Sequence, residues 1–292
     1  MRILAIAWLA QATMAAAAQP LWPVVLPMKM EKNLPLVQIT VNGAENLTFI
    51  LDSAAAGCVV DRERATALGL SVSGSAMSSG SGGAQQVGVL HGVLLNLGGV
   101  EIRPPRCFTF DMKSLAFQGP VDGILGFPLF GHYVVEIDYP GSRVRIFQPA
   151  SYRPSPKADM LPIRMTTGPV VRGSIRVRGK KPIEADMQLD TGSAHVLTIC
   201  SPFVDRHKLL DFADEVSPGG TRGFGGSNVD MVGRIQEVRI GRFAADKPSV
   251  RFSRQTSGSF GSEQHYSANL GGEFMKNHKV TFDIPGSRLF LE

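Results

Sequence analysis

Apolar and polar positions alternate along most of this chain. In LVQITVNGAENLTFILDSAAA (36–56), apolar residues recur at every second place up to Asn42-Gly43, and a second apolar run then leads to Asp52. A period of two broken by Asn-Gly predicts two strands joined by a tight turn. The stretch VVRGSIRVRGKKPIEADMQLDTGSA (170–194) has the same layout, with Gly179 in the turn and Asp190 at the end of the second strand. ILGFPLFGHYVVEIDYPGSRVRIF (124–147) and NLGGEFMKNHKVTFDIPGSRLFLE (269–292) each read as a strand, a Pro-Gly turn and a returning strand. Long runs of helical period are few, so the pattern predicts an all-β protein.

The last two segments align without a gap at an offset of 145: Gly126 meets Gly271, Leu129 meets Phe274, Val135 meets Val280 and Arg143 meets Arg288. The Asp-bearing segments align at an offset of 138, so the second copy has gained seven residues between its Asp and its closing hairpin. This predicts a tandem duplication with one Asp per half. A lone Asp after a strand is ordinarily a turn residue or a helix cap. Two at matching places in two repeats point to a shared task.

Composition narrows the class. With 43% hydrophobic and 19% charged residues, the chain can bury a sizeable core, and wholesale disorder is excluded. Gly 32 and Pro 19 suit a protein of many turns. MRILAIAWLAQATMAAAA (1–18) carries an early Arg2, an apolar run and Ala16 and Ala18 in small-x-small spacing, which predicts a secretory signal peptide. Its apolar run falls short of the roughly 20 residues a membrane span needs. The expected organisation is a signal peptide over 1–18, one lobe over 19–155 and a second over 156–292, exported to the periplasm or beyond. Without Arg2 the net charge falls from +5 to +4. The charges are scattered, and the densest cluster, RVRGKK (176–181), lacks interleaved aromatics, so no nucleic-acid partner is expected. Cys58, Cys107 and Cys200 are too dispersed for a metal or redox motif. Cys58–Cys107 could be bridged after export, or all three could be buried thiols. Six His (91, 132, 195, 207, 265, 278) show no metal spacing, and no cofactor or metal is expected. His195 reads as a packing or surface residue, and Asp138 and Asp283 as turn residues before Pro-Gly.

FILDSAAAGCVVD and MQLDTGSAHVLTI resemble the two active-site segments of aspartic proteases, the pepsin and retropepsin superfamily. The likeness extends to Gly-rich segments at the place of the flaps, SSGSGGAQQVG (78–88) and RGFGGSNVD (222–230). It extends also to the elements Ile124-Leu125-Gly126 and Asn269-Leu270-Gly271, which are similar to the family's support for the active loops. The resemblance implies a bilobal, all-β pepsin/retropepsin-like fold with a cleft between the lobes and an aspartic endopeptidase acting on peptide or protein substrates; with both Asp on one chain, a monomer is expected. It implies catalysis by Asp52 and Asp190, supported by Ser53, Ala54, Thr191 and Gly192. Gly80, Gly82, Gly83, Gly223, Gly225 and Gly226 would belong to the flaps. Two nearby carboxyls sharing one proton contain a general base and a general acid at once. Three departures stand out: Ala54 where Gly is usual, no Tyr in either flap segment, and Asn269 at an apolar place. Ala54 leaves a second reading, a pseudo-protease that binds peptides or envelope proteins without cutting them.

Overall fold

The computed structural model describes residues 20–115 and 120–292; the expected signal peptide lies outside the described residues. Three β-sheets account for the architecture. The first ten-stranded sheet runs Val72–Gly80, Gly83–Leu90, Cys107–Phe110, Cys58–Asp61, Gly123–Leu125, Ala44–Leu51, Leu34–Val41, Leu95–Leu97 and Val100–Ile102, with Lys29–Glu31 beside Leu34–Val41. The second is ordered Asp214–Gly223, Gly226–Arg234, Ser249–Ser253, Leu197–Ile199, Ala268–Gly271, Ile183–Asp190, Pro169–Arg176, Glu237–Ile240 and Phe243–Asp246, with Arg164–Met165 beside Pro169–Arg176. The two orders correspond strand for strand. In each, the strand leading to the acid lies in the interior of the sheet. It pairs parallel with a short strand, Gly123–Leu125 in one and Ala268–Gly271 in the other.

A six-stranded sheet joins the halves, in the order Val24–Pro27, Arg143–Phe147, Val134–Asp138, Lys279–Asp283, Arg288–Leu291, Asp159–Pro162. Its middle pair is antiparallel, with Val135 facing Phe282, Glu136 facing Thr281 and Ile137 facing Val280. At the offset of 145, Thr281 is the counterpart of Glu136 itself, so this register is self-symmetric. Both hairpins close on the same device. Asp138 accepts from the Gly141 N–H (2.9 Å) and from Arg143 Nε (2.9 Å), and Asp283 accepts from the Gly286 N–H (2.9 Å) and from Arg288 Nε (2.9 Å).

One continuous apolar core runs through all three sheets, from Val24 and Phe49 through Phe130 and Leu197 to Phe282 and Leu291. Alternation explains it: Leu34–Val41 and Ala44–Leu51 turn Val37, Ile39, Leu47, Phe49 and Leu51 into this core. The open question about the cysteines is settled by a disulfide between Cys58 and Cys107, whose Cα atoms are 4.9 Å apart on adjacent parallel strands. Cys200 is a buried free thiol.

Candidate active site

The strand Ala44–Leu51 hands its chain to a turn that begins at Asp52, whose N–H donates to Leu125 O (3.0 Å). The Asp52 side chain folds back and accepts from the N–H groups of Ala54 (2.9 Å) and Ala55 (3.0 Å). Asp190 does the same at the end of its own strand, accepting from the Gly192 N–H at 2.8 Å. Small residues allow this, because each carboxylate must curl over the backbone that follows it.

The two turns clasp each other through their hydroxyls. The Ser53 N–H donates to Thr191 Oγ1 (2.9 Å), and the Thr191 N–H donates to Ser53 Oγ (3.1 Å). Each hydroxyl then donates onward, Ser53 Oγ to Leu189 O (2.9 Å) and Thr191 Oγ1 to Leu51 O (2.7 Å). Four buried hydrogen bonds therefore connect loops 138 residues apart. With Ser53 5% and Thr191 0% exposed, water does not compete for them.

This clasp sets the Asp52 carboxylate against Gly192, two residues beyond Asp190, and the two acids perturb each other's protonation. Two acids so close cannot both ionise cheaply. Asp52 is pushed up to about 8, first by burial and then by the charge of Asp190, against the opposing pull of the Ala54 and Ala55 N–H groups. Burial also raises Asp190, but the Asn269 amide, the Gly192 N–H, Asp52 and the Ser193 N–H all act to lower it. Both carboxyls are thus held above the usual carboxylate range, with more donors acting against the rise at Asp190 than at Asp52. Such a pair titrates as a unit over a wide interval in which it holds one proton.

Gly192 and Ala54 are not equivalent. A Cβ at position 192 would fall on the Asp52 carboxylate, so this position requires glycine for space. Ala54 is absent from the residues with positive φ, so its methyl sits on an unstrained backbone that keeps the N–H on Asp52.

The six flap glycines lie at the tips of two long hairpins, Val72–Gly80 with Gly83–Leu90 and Asp214–Gly223 with Gly226–Arg234. The tips touch. The Gly82 N–H donates to Phe224 O at 2.8 Å, and a Cβ on Gly82 would strike the Gly226 backbone. Gly225 (φ 90°) and Gly226 (φ 141°) use conformations that L-residues rarely adopt. Phe224 packs edge-on against Phe110 at 4.9 Å, and Gln255 Nε2 donates to Ser81 O (2.8 Å). Phe224, Gln255 and Ala55 carry no motif signal, and sequence reasoning missed them. Asn269 was visible only as a departure; the structure turns its amide onto Asp190 Oδ2 at 2.8 Å.

A comparison with curated proteins found no match. Residues 37–129, which carry Asp52 and the first flap, match the family model described as aspartyl protease. Over that stretch the chain is similar to aspartyl proteases, and its mostly β architecture is consistent with an aspartic-protease-like fold.

Proposed function

We propose that the chain is an exported, single-chain aspartic endopeptidase in which Asp52 and Asp190 activate water to hydrolyse peptide bonds. The observation that carries this reading is the pair of mutually perturbing carboxyls, both raised, on turns clasped together by Ser53 and Thr191; a shared proton between them is what the reading requires. Asp190, the more readily ionised member, takes a proton from water as it attacks the peptide carbonyl. Asp52, protonated, gives its proton to the carbonyl oxygen, and no covalent intermediate is required. The flap hairpins meet at their tips, and in this reading an extended peptide held between them and the acids would pair its backbone like an added strand. A tandem duplication accounts for the corresponding sheets, each supplying one acid. The Cys58–Cys107 bridge suits an oxidising compartment and so supports export.

The test is cleavage of an unfolded casein-like substrate across roughly pH 3–7, where such pairs hold one proton. Asp52→Asn and Asp190→Asn are each expected to abolish cleavage and the response to a transition-state-analogue inhibitor, with the circular dichroism unchanged. Retained cleavage in both variants overturns the assignment. So does a wild-type protein that binds the peptide and never cuts it.

A further inference from the structure

The two active loops are supported by different chemistry. In the first half the register partners are Ile50 and Ile124, packed with Leu34, Leu36, Val121 and Ala194. At the corresponding register in the second half stand Gln188 and Asn269. Both amides are buried, at 5% and 3% exposure. Burying amides is costly unless they are used, and these form a directed chain. Gln188 Nε2 donates to Thr167 Oγ1 (3.1 Å), which leaves Gln188 Oε1 to accept from Asn269 Nδ2 (3.3 Å). The same Asn269 nitrogen donates to Asp190 Oδ2 (2.8 Å).

A support that served packing alone would be met by the isoleucine pair of the first half. Asn269 is also poorly satisfied as a core residue, because its Oδ1 is buried with no hydrogen-bond partner among the described residues. Its satisfied end is the one that faces the acid. Asp52 has no such donor from Ile124, so the amide marks one carboxyl of the pair and not the other.

We infer that Asn269 is a positioning residue that fixes Asp190 as the ionised acid and Asp52 as the protonated one, so deciding which carboxyl takes a proton from water and which gives one up. This rests on the dyad reading above and adds the direction of proton flow. A donor on an ionised carboxylate strengthens as charge develops, whereas an apolar neighbour is indifferent. The other titratable groups near Asp190 are Asp52 across the seam, Tyr139 and Tyr266, whose hydroxyls burial keeps protonated, and His195 on the same loop. Burial and Arg251 push His195 down to about 4, so it is neutral above that pH.

The experiment compares wild type with Asn269→Leu and with Gln188→Ile/Asn269→Ile, the latter writing the first half's pair into the second and leaving no amide unpaired. Two readouts are taken: the side-chain carboxyl ¹³C titration of Asp190, and the pH profile of kcat/KM on the casein-like substrate. Loss of the donor is expected to move the Asp190 titration and the acid limb upward by about one pH unit, about a tenfold loss of rate on the acid side. The alkaline limb is expected to stay in place, because Asn269 bonds Asp190 equally in the singly and doubly ionised pair. An unmoved Asp190 titration in either folded variant overturns the inference, as does a uniform loss of rate at every pH. Failure of both variants to fold also counts against it, since the amides would then be needed for folding. If the wild type cuts nothing, the hydrolase reading falls, while the carboxyl titration still decides the role of Asn269.

Discussion

Replacing Thr191 by Val tests whether the clasp holds the molecule together. Val keeps the branched shape and removes the hydroxyl, so the Ser53 N–H loses its acceptor and Leu51 O loses its donor. Both groups lie in a site where Thr191 is 0% exposed, so water cannot replace the lost partner without opening the seam. A buried polar group left unpaired costs about 1–3 kcal/mol, giving about 2–6 kcal/mol for the two. That is a large share of the 5–15 kcal/mol typical of a folded protein. The assay is urea unfolding, read as a shift in midpoint at constant slope. Ser53→Ala removes the two reciprocal bonds, to Leu189 O and from the Thr191 N–H. Because either change loosens the same seam, the double variant is expected to lose at least about 1 kcal/mol less than the sum of the singles. A loss below about 0.5 kcal/mol for Thr191→Val, or strict additivity in the double variant, would refute the reasoning.

Three further outcomes follow from the site and its surroundings. Asp52 is raised from an unfolded value of 3.8 to about 8, so the folded state binds its proton more tightly; wild-type stability should fall as pH rises from about 4 towards 8, and Asp52→Asn should flatten that decline in pH-dependent melting curves. Reducing the Cys58–Cys107 bridge, which closes a loop of separation 49, should cost up to about 4 kcal/mol in unfolding experiments with and without reductant. Gly192→Ala places a methyl on the Asp52 carboxylate and should lower the cleavage rate at least about a hundredfold, whereas Ala54→Gly should change stability by less than about 1 kcal/mol.

Much of the frame was legible because it is encoded locally. Alternation marked the strands up to Asp52 and Asp190, Asn42-Gly43 marked a turn with φ of 48° and 87°, and the two Pro-Gly segments marked hairpins. What escaped depends on contacts between distant segments. Cys spacing carries no information on Cα separation, so the bridge stayed one of two alternatives until Cys58–Asp61 and Cys107–Phe110 were seen side by side. The partner of Asn269 is 79 residues away and is reached only through parallel pairing, so its sequence signal was no more than an odd residue at an apolar place. The meeting of Gly82 with Phe224 joins the tips of two hairpins that are far apart in sequence. Asp122 was unremarkable in sequence, yet it accepts from the Thr48 N–H (2.8 Å) and Arg64 Nε (2.5 Å), tying the first acid's strand to the helix Arg62–Ala67.

The middle pair of the joining sheet has one more consequence. Glu136 lies opposite its own counterpart, Thr281, yet the two are different amino acids encoded separately. A homodimer built around such an axis would have to change both sides together, since one codon writes both. Here a single codon can alter one acid's surroundings and spare the other's, so unequal division of labour is heritable in one step.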